Sequence, residues 1–353
     1  MEHPYRNRPA AAFWRAAVAE AEEVDPVPPL AVRIGPQDAV ATAGSCFAQH
    51  LARHLLATGR TVLRTEPPLP GAGEEHALFP ANFGNIYTAR HLLRLFEEAF
   101  GLREPRALVW RRPDGRCADG LRPRLPAQGF DDAAAVHAAR TVHLAAVREM
   151  FERCDVFAFT LGLAEAWLDP REGTAFPLAP GIVAVPEDGA EIGIHAFSAA
   201  EVQADLERFL DGLAEVNPGA RCLLTVSPVP LAATATEHHV LVASTLGKAT
   251  LRVAADAAAR RPGVAYFPAY EIVQAMHLRG RGFAPDLRSV APEAVARVMA
   301  LFDRHAVGDA PAPRAPEAPR AAPGDPAGGD AAAAHAALRE VVCDEDLLDP
   351  GGV

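Results

Sequence analysis

The chain has 353 residues, half of them apolar and 22% charged, a balance typical of soluble globular proteins that excludes wholesale disorder. Thirty-four basic residues against 45 acidic ones give a net charge of −11, which repels polyphosphate and anionic lipid and argues against nucleic acid or a membrane as partner. No run of about 18 apolar residues occurs and no signal-peptide core follows the N-terminus. The five scattered cysteines contain no Cys-x-x-Cys pair, so reduced thiols and a cytoplasmic location are expected.

Ala39 to Ala43 predicts a first strand entering Gly44-Ser45-Cys46, after which Phe47, Leu51 and Leu55 recur at helical spacing up to Gly59. A second passage runs through Arg60 to Leu63 and a Pro/Gly-rich connection. It continues from Asn82-Phe83-Gly84-Asn85 into a helix from Thr88 to Phe100 that Gly101 terminates. Asp132 to Arg153 reads as a long helix leading into the apolar run Asp155 to Gly162, the pattern of a buried parallel strand. Ser198 and Glu201 form a capping box for a helix that stops near Pro218. Cys222 to Val226 is the next strand, His239 to Arg261 the next helix, Val264 to Phe267 a short strand and Pro292 to His305 a closing helix.

This alternation predicts an α/β fold, a three-layer sandwich with a parallel sheet of about five strands. Arg103 to Phe130, with seven arginines, and the proline-bearing stretch Asp169 to Phe197 break the pattern. The domain is therefore expected over 1–307, with insertions at about 101–131 and 169–197. From 308 to 331 Ala, Pro, Gly and Asp dominate, with too little bulky apolar surface to offset ordering entropy, which predicts a disordered linker. The tail, 332–353, reads either as frayed or as a short helix from Ala332 to Leu348 docking through Leu338, Val341, Val342 and Leu347 or Leu348.

Sites in open α/β sheets form beyond the carboxyl ends of the strands. Gly44-Ser45-Cys46 lies at the first such end and sets a hydroxyl and a thiol at a helix N-terminus, which favours an anion. From local spacing alone, Ser45 reads as an N-cap and Cys46 as a small buried apolar residue. The pair His50 and His54 shares one helix face, yet without a nearby Glu or Cys pattern no metal is expected. Arg111 and Arg112 would cover an anionic or carbohydrate substrate or belong to a mobile lid.

The pentapeptide Gly44-Ser45-Cys46-Phe47-Ala48 resembles the signature of the GSCFA-domain proteins, related to the SGNH/GDSL hydrolases and PC-esterase-like enzymes. The resemblance begins near Phe13-Trp14-Arg15 and takes in Asn82 to Thr88, Phe159 to Leu163, Ser227 to Leu231, Tyr266-Phe267-Pro268, Asp286-Leu287-Arg288 and Val298-Met299. It implies an SGNH-like, flavodoxin-type sandwich in which Cys46 takes the nucleophile position and Ser45 competes with it. A thiolate is the better nucleophile if it ionises. Gly84 and Asn85 match the block whose glycine N–H binds the developing oxyanion. The third block, Gly162-Leu163-Ala164-Glu165, has alanine where the SGNH enzymes carry asparagine, so Glu165 or a backbone N–H would substitute. The fourth, Asp286-Leu287-Arg288-Ser289, keeps the aspartate and lacks the histidine base.

His239 is the expected replacement base, followed by His238 and His195, although histidines at such junctions usually cap or face solvent. Lys248 and Arg252 lie four apart and read as a solvated helix face or as cations for an anionic substrate. Glu271 would hold Lys248 or Arg288 in a buried ion pair. The function implied is an ester hydrolase or acyltransferase without a cofactor, acting on a small-molecule or carbohydrate ester. The alternative is a non-catalytic ligand-binding or scaffold protein that keeps the fold after losing the machinery, since fold alone does not fix function.

Overall fold

The computed structural model describes residues 3–20, 24–67, 78–104, 108–308 and 344–348. In chain order these form α1 (Trp14–Ala17), β1 (Val40–Gly44), α2 (Phe47–Ala57), α3 (Ala89–Ala99), β2 (Val109–Arg111), β3 (Cys117–Asp119), α4 (Ala133–Arg153), β4 (Val156–Leu161) and β5 (Glu165–Leu168). They continue with β6 (Ala175–Phe176), β7 (Val185–Pro186), β8 (Gly193–Ala196), α5 (Ala199–Val216), β9 (Arg221–Val226), α6 (Val240–Ala258), β10 (Val264–Tyr266), α7 (Ala269–Gln274) and α8 (Pro292–Ala306). The linker expected over 308–331 lies, beyond Gly308, outside the described residues, as does the tail helix up to residue 343.

The helix boundaries follow local chemistry. Thr88 accepts His91 N–H and starts α3, Asp132 accepts Ala135 N–H and starts α4, and Ser198 with Glu201 makes the reciprocal capping box of α5. Gly101, at φ 68°, ends the α3 region in the left-handed conformation glycine favours.

The main sheet is parallel, in the order β1-β4-β9-β10. Among the described residues it has four strands, where about five are expected. The missing one, around Arg60 to Leu63, contributes a single parallel bridge between Val40 and Val62. Pairing stops there because Thr65 N–H turns to Pro80 O, and Gly44 O at the far end of β1 is taken by Ile86 N–H.

Alternate strand residues enter different cores, as the two-residue side-chain period dictates. Ala41, Ala43, Phe157, Phe159 and Leu224 pack with α3, α4, α5 and α6, whereas Val40, Val156, Ala158 and Leu223 pack with α2, α7 and α8. On the first face Phe96, Phe151, Phe157 and Phe209 meet with ring centroids 5.3 to 5.7 Å apart, joining three helices to β4. Such aromatic contacts contribute about 1 kcal/mol each beyond area burial.

The two stretches that break the alternation, together with β5 just before the second, build two small antiparallel sheets, β3-β2-β7 and β6-β5-β8. Strand β2 from the first stretch pairs with β7 from the second, and Trp110 on β2 stacks near Phe176 on β6.

Candidate active site

Three turns interlock at the carboxyl end of the sheet. The first leaves β1 through Gly44, whose φ is 137° and where an added Cβ would stand 2.3 Å from Thr160 O. Only glycine permits β1 and β4 to approach this closely. Ser45 N–H donates to Thr160 O at 3.1 Å, and Cys46 opens α2 in a helical conformation. The second turn, Gly84 to Tyr87, is tied to the first by Ile86 N–H on Gly44 O at 2.8 Å. The third, at Gly162, is tied to the second because Gly162 and Leu163 N–H both donate to Tyr87 O. A Cβ at Gly162 would lie 2.7 Å from Ser45 Cβ, so the third turn also presses directly on the first.

Ser45 and Cys46 are 3% and 5% exposed. Ser45 Oγ is buried and has no hydrogen-bond partner among the described residues, a polar atom of the kind that folded proteins rarely keep without a use. Asn85 is buried beside this turn, its Oδ1 accepting from Gln49 Nε2 on the first turn of α2 and its Nδ2 donating to Asp344 at 2.9 Å. Gly84 lines the same cleft as Asn85 and Asp344, and its N–H meets no acceptor among the described residues.

A buried charged network supports the second turn from behind. Asn82 N–H donates to Glu66 at 2.7 Å while Arg122 Nη1 donates to Asn82 O at 3.1 Å, so both backbone polar atoms of Asn82 are clamped. His143 Nδ1 meets Glu66 at 2.7 Å, and Arg122 and Arg140 converge on Asp119, which Arg122 meets at 2.9 Å. Burial holds His143 neutral, with Arg122 adding to the effect, and brings it down to about 3. Burial alone would raise the Glu66 carboxyl, but hydrogen bonds from His143 and Asn82 N–H, with Arg122 nearby, bring it down to about 2.

Lys248 is buried and donates from Nζ to Gly162 O at 2.7 Å. It is therefore a brace under the third turn, correcting the expectation of a solvated helix face. Glu271 pairs with Arg252 at 2.6 Å and accepts from Tyr266 Oη, in place of the expected pairing with Lys248 or Arg288. Glu165 accepts from Thr234 Oγ1 at 3.0 Å and borders clefts on both of its sides.

The residues expected to handle the proton are not joined to the three turns. His239 is exposed and caps α6, its Nδ1 accepting Leu241 N–H. Asp286 accepts from the N–H groups of Arg288 and Ser289 and, at 2.6 Å, from Ser289 Oγ. These bonds, the serine hydroxyl first, lower its carboxyl below the usual range. Among the described residues no hydrogen bond links Asp286 to His239, or either of them to Ser45 or Cys46. The physical reason is local competition, since short polar side chains at a turn or helix start satisfy neighbouring backbone groups first.

His195 pairs with Glu201 and packs on Phe197, whereas His238 borders the cleft lined by Gly162, Glu165 and Lys248. His54 is committed to Asp303, and no group of three or more His, Cys, Asp or Glu among the described residues is placed to hold a metal. Arg111 and Arg112 pair with Glu187 and Asp114.

Sequence reasoning missed Tyr87, Arg124, the Glu66–Arg122–His143 network and Asp344. A recoverable signal for the last was the acidic run Asp344-Glu345-Asp346 after a low-complexity tract.

The GSCFA family model matches residues 39–302. No curated protein matches the chain. Among solved structures, a Corynascus thermopiles (Myceliophthora fergusii) carbohydrate esterase family 2 enzyme with a carbohydrate-binding domain aligns over 78% of this chain and 68% of that one, at 14% identity and a TM-score of 0.28.

Proposed function

The chain belongs to the GSCFA family, and on that basis we propose that it is an SGNH-like ester hydrolase or acyltransferase on a three-layer, flavodoxin-type sandwich, with an acylated carbohydrate as substrate class. The observation that carries this reading is the contact of Gly162 with Ser45 Cβ inside the interlocked turns. It sets a serine and a cysteine at a helix start beside the Gly84–Asn85 block. In this reading Cys46 Sγ or Ser45 Oγ attacks the ester carbonyl carbon, while Gly84 N–H and the Asn85 amide receive the developing oxyanion. A donor of this kind is typically worth about 3 kcal/mol in the transition state. His238, ranked after His239 from the sequence but bordering the Gly162 cleft, takes the nucleophile's proton and returns it to the departing alcohol. Water or a second alcohol then attacks the acyl-enzyme, giving hydrolysis or transfer. Both nucleophile candidates are buried, so turnover requires the first turn to be uncovered.

The test is labelling with a fluorophosphonate and with iodoacetamide, mapped by mass spectrometry, alongside turnover of p-nitrophenyl acetate. One of Ser45→Ala and Cys46→Ala is expected to abolish labelling and lower turnover at least about a hundredfold with folding intact. Unchanged turnover in both variants removes the enzyme reading. A ligand-binding protein is the second reading. It is favoured by the burial of Ser45 and Cys46 and by the engagement of Asp286 with Ser289, the residue at the base position.

A further inference from the structure

Residues 344–348 form a single 3-10 turn against the second strand-end turn. Asp344 Oδ2 accepts from Asn85 Nδ2 at 2.9 Å and from Tyr87 Oη at 3.2 Å, and Oδ1 accepts from Arg124 Nη1 at 3.0 Å. Asp344 N–H donates to Tyr87 Oη at 2.9 Å, fixing the hydroxyl as both acceptor and donor. Asp344 lines a cleft together with Phe83, Gly84, Asn85, Arg124 and Pro177. Leu348, four residues on, lines the neighbouring cleft beside Tyr87, Thr88 and Trp167.

The donor set is specific in kind. One amide, one hydroxyl and one guanidinium meet the two oxygens, and among the described residues the Arg124 guanidinium is the cation paired with the Asp344 carboxylate. A neutral carbonyl offers one oxygen and no charge to such a cradle, whereas a carboxylate satisfies every donor with charge-assisted bonds. Asn85 adjoins the nucleophile turn, so a group held here lies beside the proposed reaction centre.

We propose that Asn85, Tyr87 and Arg124 form a carboxylate subsite, and that Asp344 fills it in the resting chain until a carboxylate-bearing ester displaces it. The inference rests on the proposed function for its substrate and narrows that substrate to an ester carrying a free carboxylate. The chain's own tail and the free ligand then compete for one set of donors. The ligand's apparent affinity is reduced by the fraction of molecules whose subsite is open.

The experiment is calorimetric titration of the full-length protein with monomethyl succinate, and with dimethyl succinate as a neutral control. Asp344→Asn is expected to bind monomethyl succinate at least tenfold more tightly than the unaltered chain, which corresponds to a subsite open about one-tenth of the time. Asp344→Glu restores the weaker binding. Arg124→Gln placed on Asp344→Asn removes the gain, and dimethyl succinate distinguishes none of the variants. Equal affinity in the unaltered chain and Asp344→Asn, a gain that survives Arg124→Gln, or no binding to any variant overturns the proposal. The readout is affinity, so the outcome does not require turnover. Tight binding without turnover or labelling defeats the enzyme reading and leaves the subsite, while turnover without dependence on residue 344 defeats the subsite and leaves the enzyme.

Discussion

The turns after β1, before α3 and after β4 differ sharply from the turn at 286–289. The first three exchange backbone hydrogen bonds with one another and press glycine against serine, so each depends on the others. The last satisfies Asp286 with Arg288 and Ser289 from its own loop. Close backbone packing thus joins the first three turns, whereas the position where the resemblance implies a histidine, three residues after Asp286, carries Ser289. Backbone proximity is tied to folding, whereas an acid–base pair at an exposed loop is not, so the two parts of such a site are free to diverge.

The largest expected effect breaks the interlocked side. Gly44→Ala places a Cβ against Thr160 O in a conformation costly for alanine, and is expected to lower stability by about 3 kcal/mol or more. Denaturant unfolding measures it, and a loss below about 1 kcal/mol would show that the turns tolerate separation.

A smaller effect sharpens the contrast through pH. Burial, with Arg140 for His91 and Arg122 for His143, brings these histidines down to about 4 and about 3. Their contribution is complete above the ordinary value near 6.5 and falls as pH drops below it, because the unfolded chain binds protons first. The loss reaches about 1 kcal/mol per histidine at pH 5.5. The Glu66 carboxylate, depressed to about 2, stabilises above its ordinary value of 4.5 and adds its loss only at lower pH. Thermal unfolding at pH 7.5 and 5.5 should show the decline and His143→Gln should shrink it; a flat profile contradicts the neutral buried state.

The smallest effect is on the exposed side. Asp286→Ala and His239→Ala are each expected to change stability by less than about 1 kcal/mol and to leave probe labelling of the 44–46 turn as it was. Loss of labelling in either would join that side to the proposed reaction centre.

These contrasts track what was legible in the sequence. Strands and helices with caps or long apolar runs, such as α5 with Ser198 and Glu201, are written locally and emerge where expected. So does the junction at Gly44, because its glycine and the following helical spacing lie within a few residues. Lys248 is opaque to such reading, since its partner is a carbonyl 86 positions away and a helical lysine ordinarily faces water. Glu66, Arg122 and His143 are opaque for the same reason, each being polar alone and buried only through the others. His239 shows the converse case, where residue type suggested chemistry while position at a helix start, read locally, pointed to the capping that the structure shows.

The pairing of β2 with β7 makes one unit of two segments that the sequence presents as separate interruptions. Removing either would strip the other of its edge partner and uncover Trp110, which is fully buried between them. The pair is therefore inherited or lost as a single module, and transplanting it onto another sheet of this kind would require moving both halves together.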